Sequence, residues 1–365
     1  MRRRSLLGWL AAGIPLRIPG AEDAWGVSPA AADHDAATNV REYGAAGDGV
    51  RDDTRAIQQA IDVSRDGKPV LFPAGRYRIR KTVTVHDDCV LVGWGRHSIL
   101  QCSEPDTDAL VCEGVKKVFI EGLAIDGDGS NRDGLVVRQA DDVRIRRCWI
   151  KSMGGRALTI VNTPCGVVDS DFELCGGDGI FVSETNSGEP PHIITCSVYH
   201  NGGHGLHFTS NANQAMIQGC EIILNAGSGI LIENASKMIS VVGNSILGNG
   251  IYGIEIATGS PWNAIVSNVL SENGLAGIAI RNHAHDTVVM ANRFLDNCRS
   301  SQAEQAELLV RNSTRILALG NIFARMPRRD PAPPHSAILA DPGAISNSLN
   351  AFDGLAQGSP VQPGS

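Results

Sequence analysis

Short segments in which every second residue is hydrophobic recur along the chain, and most of them begin just after a glycine. The clearest four are Leu206-His207-Phe208, Ile230-Leu231-Ile232, Ile254-Glu255-Ile256 and Ile278-Ala279-Ile280. Earlier counterparts follow Gly134, Ala157 and Gly179. A period of two residues predicts β-strands with one buried side.

These segments repeat every 24 residues, and so do the polar residues between them. Three series share this step: Asn201, Asn225, Asn249, Asn273, Asn297; Cys196, Cys220, Asn244, Asn268, Asn292; and Gly205, Gly229, Gly253, Gly277. Two or three short strands fill such a repeat, which excludes a helical solenoid, and a propeller blade would need about 40 residues. The repeat therefore predicts an all-β solenoid of stacked parallel strands. Eight coils between Val115 and Phe323 would extend roughly 40 Å at about 4.8 Å per coil.

Equivalent residues of successive coils should form columns along such a solenoid. We interpret the series from Cys196 to Asn292 as a ladder inside a corner, in which each amide bonds its neighbour one coil away. Cys196 and Cys220 would come close enough for a disulfide, although stacked buried thiols are the favoured alternative. With nine cysteines in the chain, at least one thiol should stay unpaired within it.

The two ends of the repeat region differ from its middle. We expect a helix from Thr54 to about Ser64, capped by Asp52 or Asp53, to seal the first coil. The predicted organisation is a signal peptide and linker at 1–32, a β-helix domain at 40–323, and a C-terminal cap with a Pro/Gly-rich tail at 324–365. Within that domain, residues 40–100 form the N-terminal cap and residues 115–323 the regular coils.

Composition and the N-terminus narrow the class of protein. Hydrophobic residues make up 42% and charged residues 19% of 365, with a net charge of −7, which predicts a folded chain that does not bind nucleic acid. Residues 1–16 read MRRRSLLGWLAAGIPL and resemble a twin-arginine export signal, so we expect a periplasmic or secreted protein. No later segment has the roughly 18 apolar residues of a membrane span.

The segment from Val40 to Ile61 carries a family resemblance. It reads VREYG, then GDGVRDDT and AIQQAI, and Phe72-Pro73-Ala74-Gly75 follows it. This opening resembles the pectate-lyase-like superfamily, which implies a right-handed parallel β-helix, often exported and often acting on acidic polysaccharide. Gly203-His204-Gly205-Leu206 and Asn211 also resemble the catalytic module of mannuronan C5-epimerases. In outline the chain is equally similar to twin-arginine-exported β-helix repeat proteins.

The resemblance does not extend to complete catalytic motifs. Where the epimerases have Tyr-Gly-Phe-Asp-Pro-His, this chain reads RALTIV at 156–161. Gly177-Asp178-Gly179-Ile180 is similar to a polygalacturonase motif, but the paired aspartates and the Arg-Ile-Lys segment of those enzymes are missing. Neither catalytic site can be transferred whole.

Three columns at one predicted sheet carry the candidate chemistry. They are Asp133, Arg156, Asp178, His204, Ser228, Tyr252, Ala276; then Thr159, Phe181, His207, Leu231, Glu255, Ala279; then Val161, Ser183, Thr209, Glu233, Ala257, Arg281. We expect Asp178 to contact both Arg156 and the His204 ring, which would raise the pKa of His204. A solvated turn edge is the alternative interpretation of the first column.

Roles for these residues follow from what proton abstraction beside a carboxylate requires. Arg156 could neutralise the substrate carboxylate, His204 or His207 could act as base, and Tyr252 could donate a proton. Glu233, Glu255 and Arg281 are candidate sugar contacts, although surface charges are the favoured interpretation of Glu255 and Arg281. Hydrolysis is less favoured because Asp178 has no obvious carboxylate partner at the required spacing.

The predicted function is thus epimerase- or lyase-type action on an acidic, uronate-containing polysaccharide. The alternatives are a polygalacturonase-like hydrolase and a non-catalytic carbohydrate-binding or envelope protein. No cofactor is certain from these residues. Calcium is possible because Asp126-Gly127-Asp128-Gly129-Ser130 with Asp133 resembles the start of an oxygen-ligand loop. Val137 replaces the twelfth-position glutamate of such a loop, so an Asp/Gly turn is the favoured interpretation of this segment.

Overall fold

Three parallel β-sheets, here named A, B and C, run the length of the molecule. The structure is a computed structural model that describes residues 37–185, 190–300, 306–325 and 336–353, and the backbone of 361–363. The first coil contributes a strand to sheets A and B, and each later coil contributes one strand to sheet A, then one to B and one to C; every strand pairs in parallel with its counterpart in the next coil. The prediction of a parallel β-helix with an N-terminal helix is confirmed.

The strands are short, mostly three to six residues. Sheet A contains Thr38–Asn39, Pro69–Phe72, Val90–Gly93, Lys116–Glu121, Asp141–Arg146, Cys165–Val168, His192–Ile194, Met216–Gln218, Ser240–Val242, Ala264–Val266, Val288–Met290, Ile316–Leu319 and Ile345–Ser348. Sheet B contains Asp48–Asp52, Gly75–Ile79, Ser98–Cys102, Ala124–Asp126, Trp149–Lys151, Asp171–Glu173, Ser197–Tyr199, Glu221–Ile223, Ser245–Leu247, Val269–Ser271, Arg293–Leu295, Ile322–Ala324 and Ala351–Asp353. Sheet C contains Val83–Thr84, Leu110–Glu113, Leu135–Arg138, Leu158–Val161, Ile180–Ser183, Leu206–Thr209, Ile230–Ile232, Ile254–Ile256, Ile278–Arg281, Ala306–Arg311, Ser336–Ala340 and Val361–Pro363.

Inside the β-helix, side chains of the same type stack on one another from coil to coil. In sheet B, Ile222, Ile246 and Leu270 are fully buried and directly in register. Farther along the same column, the rings of Phe294 and Phe323 stack with centroids 4.6 Å apart. Branched aliphatic and flat aromatic side chains suit this arrangement because each packs against a similar side chain in the coil before it and in the coil after it.

Each corner pairs a left-handed residue with a buried one. Between sheets A and B, Gly243, Ser267 and Ala291 have φ of 67°, 57° and 55°. The residue that follows each of them is an asparagine of the predicted ladder, turned into the core. A residue in the left-handed conformation bends the chain sharply at one position. This conformation costs free energy for any residue with a Cβ.

The ladder asparagines hydrogen-bond from one coil to the next, as predicted. The main-chain N–H and the side-chain amide of Asn244 both donate to Oδ1 of Asn268, each at 2.9 Å. Asn268 makes the same two bonds to Asn292, and its Nδ2 also donates to the Val241 carbonyl. Buried backbone groups at the corner thereby gain partners that the short strands cannot supply.

A second ladder occupies the corner between sheets B and C. It runs through Asn201, Asn225, Asn249, Asn273 and Asn297 and ends on the fully buried carboxylate of Glu307. The sequence showed the repeat of these asparagines without indicating their role. All nine cysteines are buried and free, which confirms stacked thiols at Cys196 and Cys220.

The helix spans Thr54–Val63 and buries Ile57, Ala60 and Ile61 against the first coils. Asp53 is its N-cap residue without a side-chain bond to the helix, and Asp52, one residue earlier, accepts from the Thr54 N–H at 3.0 Å. The Asp53 carboxylate instead accepts from the N–H groups of Ala46 and Gly47. Two short 3₁₀ helices, Val40–Tyr43 and Gly95–His97, lie in the same N-terminal part of the chain.

The coils extend into both segments that were expected to be caps. Strands at 48–102 already belong to the three sheets. At the other end, residues 336–353 lie within the expected C-terminal cap, yet three strands there continue sheets C, A and B. The physical reason is that the ladder persists, since Asn321 donates its N–H and its side-chain amide to Oδ1 of Asn350.

The predicted signal peptide at 1–32 lies outside the described residues. In the part of the chain that the structure describes, no helix has the length and apolar character needed to cross a membrane.

Replacing Asn249 by alanine should destabilise the fold by about 3 kcal/mol or more, because several buried polar groups lose their partners. Oδ1 of Asn249 accepts from the N–H and the amide of Asn225, and its Nδ2 donates to Ile222 and Asn273. Denaturant unfolding followed by circular dichroism measures the change. The exposed Asn347 is the control: if Asn347→Ala costs as much as Asn249→Ala, the ladder has no special role.

Candidate functional site

The outer face of sheet C is recessed, unlike the outer faces of sheets A and B. All three residues of Ile230–Ile232 are buried, whereas only the central residue of Ser240–Val242 in sheet A is buried. Outward-facing Thr159, Thr209 and Glu255 retain at most 7% exposure. The outward-facing side chains of sheet C are therefore sheltered, which alternation along the sequence did not predict, and we call this sheltered face the groove of sheet C.

The strand register confirms the alignment of the predicted columns on this face. Thr159, Phe181, His207, Leu231, Glu255 and Ala279 are direct neighbours from strand to strand. Just before these strands, the backbone pairs Asp178, His204, Ser228 and Tyr252 in successive coils. The expected polar row therefore exists, and its members lie in or beside the groove.

His207 is held between two carboxylates. Its Nδ1 lies 3.1 Å from Oδ2 of Asp178, and its Nε2 lies 3.2 Å from Oε1 of Glu233. Both acceptors are carboxylate oxygens, so only the doubly protonated imidazolium can donate to both at once. The side chains of Asp178, His207 and Glu233 are 11%, 16% and 27% exposed, which leaves Glu233 the most accessible of the three.

The surroundings shift the pKa of both central groups toward their charged forms. Burial by itself would lower the pKa of His207, but the hydrogen bonds and charges of Asp178 and Glu233 raise it above the ordinary value. Burial would raise the pKa of Asp178, and the bonds from the His207 ring and the His204 N–H outweigh it and lower the pKa. A charged His207 beside an ionised Asp178 is the result.

His204 does not have the predicted contact with Asp178. Its backbone N–H, not its ring, donates to Oδ1 of Asp178 at 2.7 Å. The ring Nδ1 accepts from the Ser228 N–H at 3.0 Å, so the ring proton of neutral His204 lies on Nε2. Burial then lowers the pKa of His204, so the expectation of a raised pKa is wrong. Sequence spacing gave the right column but could not show which way the ring turns.

Two glycines make room for this row. A Cβ on Gly203 would lie 2.3 Å from Oδ1 of Asp178, and one on Gly227 would lie 2.8 Å from Nδ1 of His204. Any larger residue would push these side chains away from the N–H groups that they accept from. The glycines that precede His204 and Ser228 are therefore part of how the site is positioned.

Arg156 lies at one end of the cluster and is oriented by an aromatic ring. Its guanidinium carbon sits 3.6 Å from the ring centroid of Phe181, and its Nε is 3.7 Å from Oδ2 of Asp178. Among the described residues, neither of its terminal nitrogens makes a hydrogen bond. The predicted contact between Arg156 and Asp178 is present, and the stacking on Phe181 went unnoticed because ring contacts leave no repeat in the sequence.

Glu255 and Arg281 form a separate pair farther along the groove. Arg281 donates to Oε1 of Glu255 through Nε at 2.7 Å, and Ser228 donates to Oε2 at 2.9 Å. Glu255 is only 4% exposed, so its interpretation as a surface charge is wrong. Arg281 is more accessible, with a side chain 39% exposed.

Tyr252 is not brought into the central cluster. Its ring is buried in a small apolar cluster with Ala276, Ala279 and Leu309, and the Arg281 guanidinium carbon lies 5.7 Å from its centroid. Two coils separate it from His204, about 10 Å of stacking. Its predicted role as a proton donor to the same substrate atom therefore has no geometric support.

The residues of the candidate calcium loop point to different faces. Asp126 lies 3.2 Å from Nη2 of Arg76 at sheet B, whereas Asp133 accepts from the Arg156 N–H and the Thr159 hydroxyl at sheet C. Within the described ranges, no group of three or more His, Cys, Asp or Glu side chains is placed to hold a metal ion.

Comparison with known proteins agrees with this architecture. The family model described as "right handed beta helix region" matches residues 108–294, and one described as "rhamnogalacturonase A/epimerase, pectate lyase-like" matches residues 37–104. The chain belongs to the right-handed β-helix family. Its resemblance to pectate-lyase-like proteins is thereby confirmed.

Individual relatives of this β-helix have diverse functions. The mannuronan C5-epimerase AlgE5 of Azotobacter vinelandii is 30% identical over 220 residues, covering 46% of this chain and 22% of the relative. The pre-neck appendage protein of Bacillus phage phi29 is 27% identical over 158 residues, covering 39% and 18%. The chain thus spans less than a quarter of either relative.

Among solved structures, the A-module of Azotobacter vinelandii mannuronan C-5 epimerase AlgE6 is similar over 89% of this chain and 97% of its own. The TM-score is 0.75 at 19% sequence identity. At that identity the likeness shows the shared fold, and function has to be argued from the groove.

Replacing Asp178 by asparagine should lower the pKa of His207, because one of its two anionic partners is lost. In the wild type, His207 should titrate above and His204 below the usual histidine value near 6.5. Imidazole NMR signals followed against pH measure both. The control is Glu221→Gln in sheet B, which should leave both values unchanged.

The same raised pKa predicts a pH-dependent stability. The stabilisation that the charged His207 gives to the folded state is fully present below the unfolded-state pKa of about 6.5. It is lost as the pH rises through the folded-state pKa. His207→Gln should therefore narrow the difference in unfolding free energy between pH 6 and pH 9. An unchanged difference would mean that His207 is not charged in the folded protein.

Proposed function

We propose that the groove of sheet C binds an acidic polysaccharide and abstracts the proton beside a uronate carboxylate, as an epimerase or a lyase does. The observation that carries the proposal is the row formed by Arg156, Asp178, His207 and Glu233, in which an accessible guanidinium stands next to a charged histidine and two carboxylates. This row supplies a group for each need of that reaction: charge neutralisation, a base and a proton donor.

Arg156 is suited to bind the substrate carboxylate. A guanidinium offers parallel N–H groups that match the two oxygens of a carboxylate. Stacking on Phe181 fixes its plane and keeps it extended along the groove. Binding the carboxylate there withdraws electron density and makes the neighbouring C–H more acidic.

Glu233 is the best-placed base, and His207 the best-placed acid. Glu233 is the more exposed carboxylate of the row, and its hydrogen bonds to His207 and Asn234 both use Oε1. Oε2 would take the proton from the substrate carbon. His207 already carries the proton that an epimerase must return, or that a lyase gives to the departing glycosidic oxygen. The N–H at Nε2 of His204 is a second donor.

These assignments differ from the roles expected from sequence alone. His204 cannot serve as the base, because its only lone pair in the ring accepts from Ser228. His207 is unsuited as well while both of its nitrogens carry protons. The functional class is retained, and the base moves from the histidines to a carboxylate first regarded as a sugar contact.

Glycoside hydrolysis is a second candidate, favoured by one observation. Asp178 and Glu233 bind opposite edges of one imidazole, so their oxygens lie roughly 7 to 8.5 Å apart, within the range of about 6.5 to 9.5 Å for inverting enzymes. Such an enzyme also needs one carboxyl that stays protonated. The lowered pKa of Asp178 works against that, so hydrolysis ranks second.

A substrate outside the cytoplasm is consistent with the export motif at residues 1–32, and we include export in the proposal. The non-catalytic alternative is binding to an envelope or extracellular glycan without changing it. Such binding would use the same groove. The two alternatives are therefore distinguished by whether the glycan is chemically changed.

Alginate and pectin fragments incubated with the full chain, with and without calcium, should gain an ultraviolet-absorbing unsaturated end or an altered ratio of sugar epimers. New reducing ends without that absorbance would instead indicate hydrolysis. Glu233→Gln should lower kcat by about 10²-fold or more. Arg156→Gln should raise KM and also lower kcat, because the guanidinium both binds the substrate carboxylate and makes the neighbouring C–H more acidic.

The matched control for Glu233→Gln is Glu221→Gln, which removes an exposed carboxylate of sheet B and should retain full activity. Wild-type turnover by Glu233→Gln would exclude Glu233 as the base. Glycan binding without any conversion would place the protein in the non-catalytic class.

A further inference from the structure

The corner between sheets C and A carries one residue of unusual size. In successive coils the last left-handed position before the strand of sheet A is taken by Gln214, Met238, Trp262, Asp286 and Arg315, with φ between 52° and 61°. A bulky aromatic residue rarely adopts this conformation, which costs roughly 1–2 kcal/mol for a residue with a Cβ. The neighbouring coils form the same corner with smaller or polar residues, so the coil does not require a tryptophan.

Trp262 contributes little to the stability of the fold. Trp262 is 54% exposed, so about half of its surface remains in water. The next residue, Asn263, points inward and makes the hydrogen bonds that hold the corner, including the one that it accepts from the Ile239 N–H. An aromatic ring at an outward, half-exposed position of a chain with only 5% aromatic residues calls for another explanation.

The exposed ring is nevertheless held in place. The His285 ring meets it edge-on, with centroids 6.4 Å apart and planes at 86°. His285 Nδ1 lies 2.7 Å from Oδ2 of Asp286, and Arg315 donates to both oxygens of Asp286 at 2.6 Å. A chain of contacts thus runs from Trp262 through His285 and Asp286 to Arg315, across three successive coils.

We propose that Trp262 is the platform of a saccharide-binding site separate from the groove of sheet C. A pyranose ring has a face of C–H groups, which stacks on an indole, and a rim of hydroxyls, which need fixed donors and acceptors. Here the apolar side chains of Trp262 and Met238 adjoin the polar set of His285, Asp286 and Arg315. One sugar ring spans about one coil spacing of 4.8 Å, so it can cover the indole and reach the polar set.

The size and charge of the patch favour a sugar over a protein partner. A stable protein interface needs about 800 Å² on each side, far more than one indole and one methionine provide. Asp286 and Arg315 neutralise one another, so the site recognises the C–H face of a pyranose and not its charge. It lies on the corner that leads to sheet A, and the proposal does not depend on catalysis in the groove.

Affinity electrophoresis of the full chain in gels containing alginate, polygalacturonate or soluble β-glucan tests the site. At least one of these polysaccharides should retard the wild type, and Trp262→Ala should weaken that binding roughly threefold to tenfold. Trp262→Tyr, which keeps an aromatic platform, should restore most of it. Trp94→Ala is the matched control, since Trp94 is 60% exposed on a different corner and should be silent.

Arg156→Gln separates this site from the proposed catalytic groove. Binding that depends on Trp262 should survive Arg156→Gln, whatever that variant does to turnover. The proposal is overturned if no polysaccharide retards the wild type, or if Trp262→Ala binds as well as the wild type. It is also overturned if Trp262→Ala changes the oligomeric state in size-exclusion chromatography, because the ring would then be a contact between copies.

Discussion

Hydrogen bonding between asparagines one coil apart is the interaction on which the rest of the structure depends. At the corners between sheets A and B and between sheets B and C, a left-handed residue is followed by a buried one, and from Asn201 onward most of these buried residues are asparagines whose amides give the corner backbone hydrogen-bond partners. Asn268, for example, takes two hydrogen bonds from Asn244 and gives its own amide hydrogens to Val241 and Asn292. This geometry is possible only if successive coils are in register, so the ladders fix the register of the coils that carry them, from Asn201 to Asn350.

Register in turn creates the candidate site. Residues far apart in sequence become neighbours about 4.8 Å apart, and a row of opposite charges can assemble without any long loop. Asp178, His207 and Glu233 come from three consecutive coils, and their contacts favour the charged forms of Asp178 and His207. The same stacking that gives the core its aliphatic columns thus gives the groove a fixed and largely dehydrated set of ionisable groups.

The fold could be predicted because it is built from a structural repeat, and that repeat is visible in the amino-acid sequence. Much of the site could be located for the same reason, since Asp178, His204 and His207 fall on columns that the repeat defines. What could not be predicted is the direction of side chains within a column. The His204 ring turns to accept from Ser228, and Glu255 is buried by pairing with Arg281, and neither contact leaves a trace in spacing. The recessed face of sheet C depends on the shape of the whole coil and was equally inaccessible.

Removal of one whole coil tests the dependence on register most directly. Deleting residues 253–276 removes one 24-residue repeat, which would bring Asn249 next to Asn297 and leave Asp178, His207 and Glu233 in place. The account predicts cooperative unfolding, a β-rich circular dichroism spectrum and an undiminished His207 pKa for this variant. A deletion of half that length, residues 253–264, should prevent folding. If the whole-coil deletion fails to fold, or if the half-coil deletion folds equally well, register set by the asparagine ladders is not what holds the molecule together.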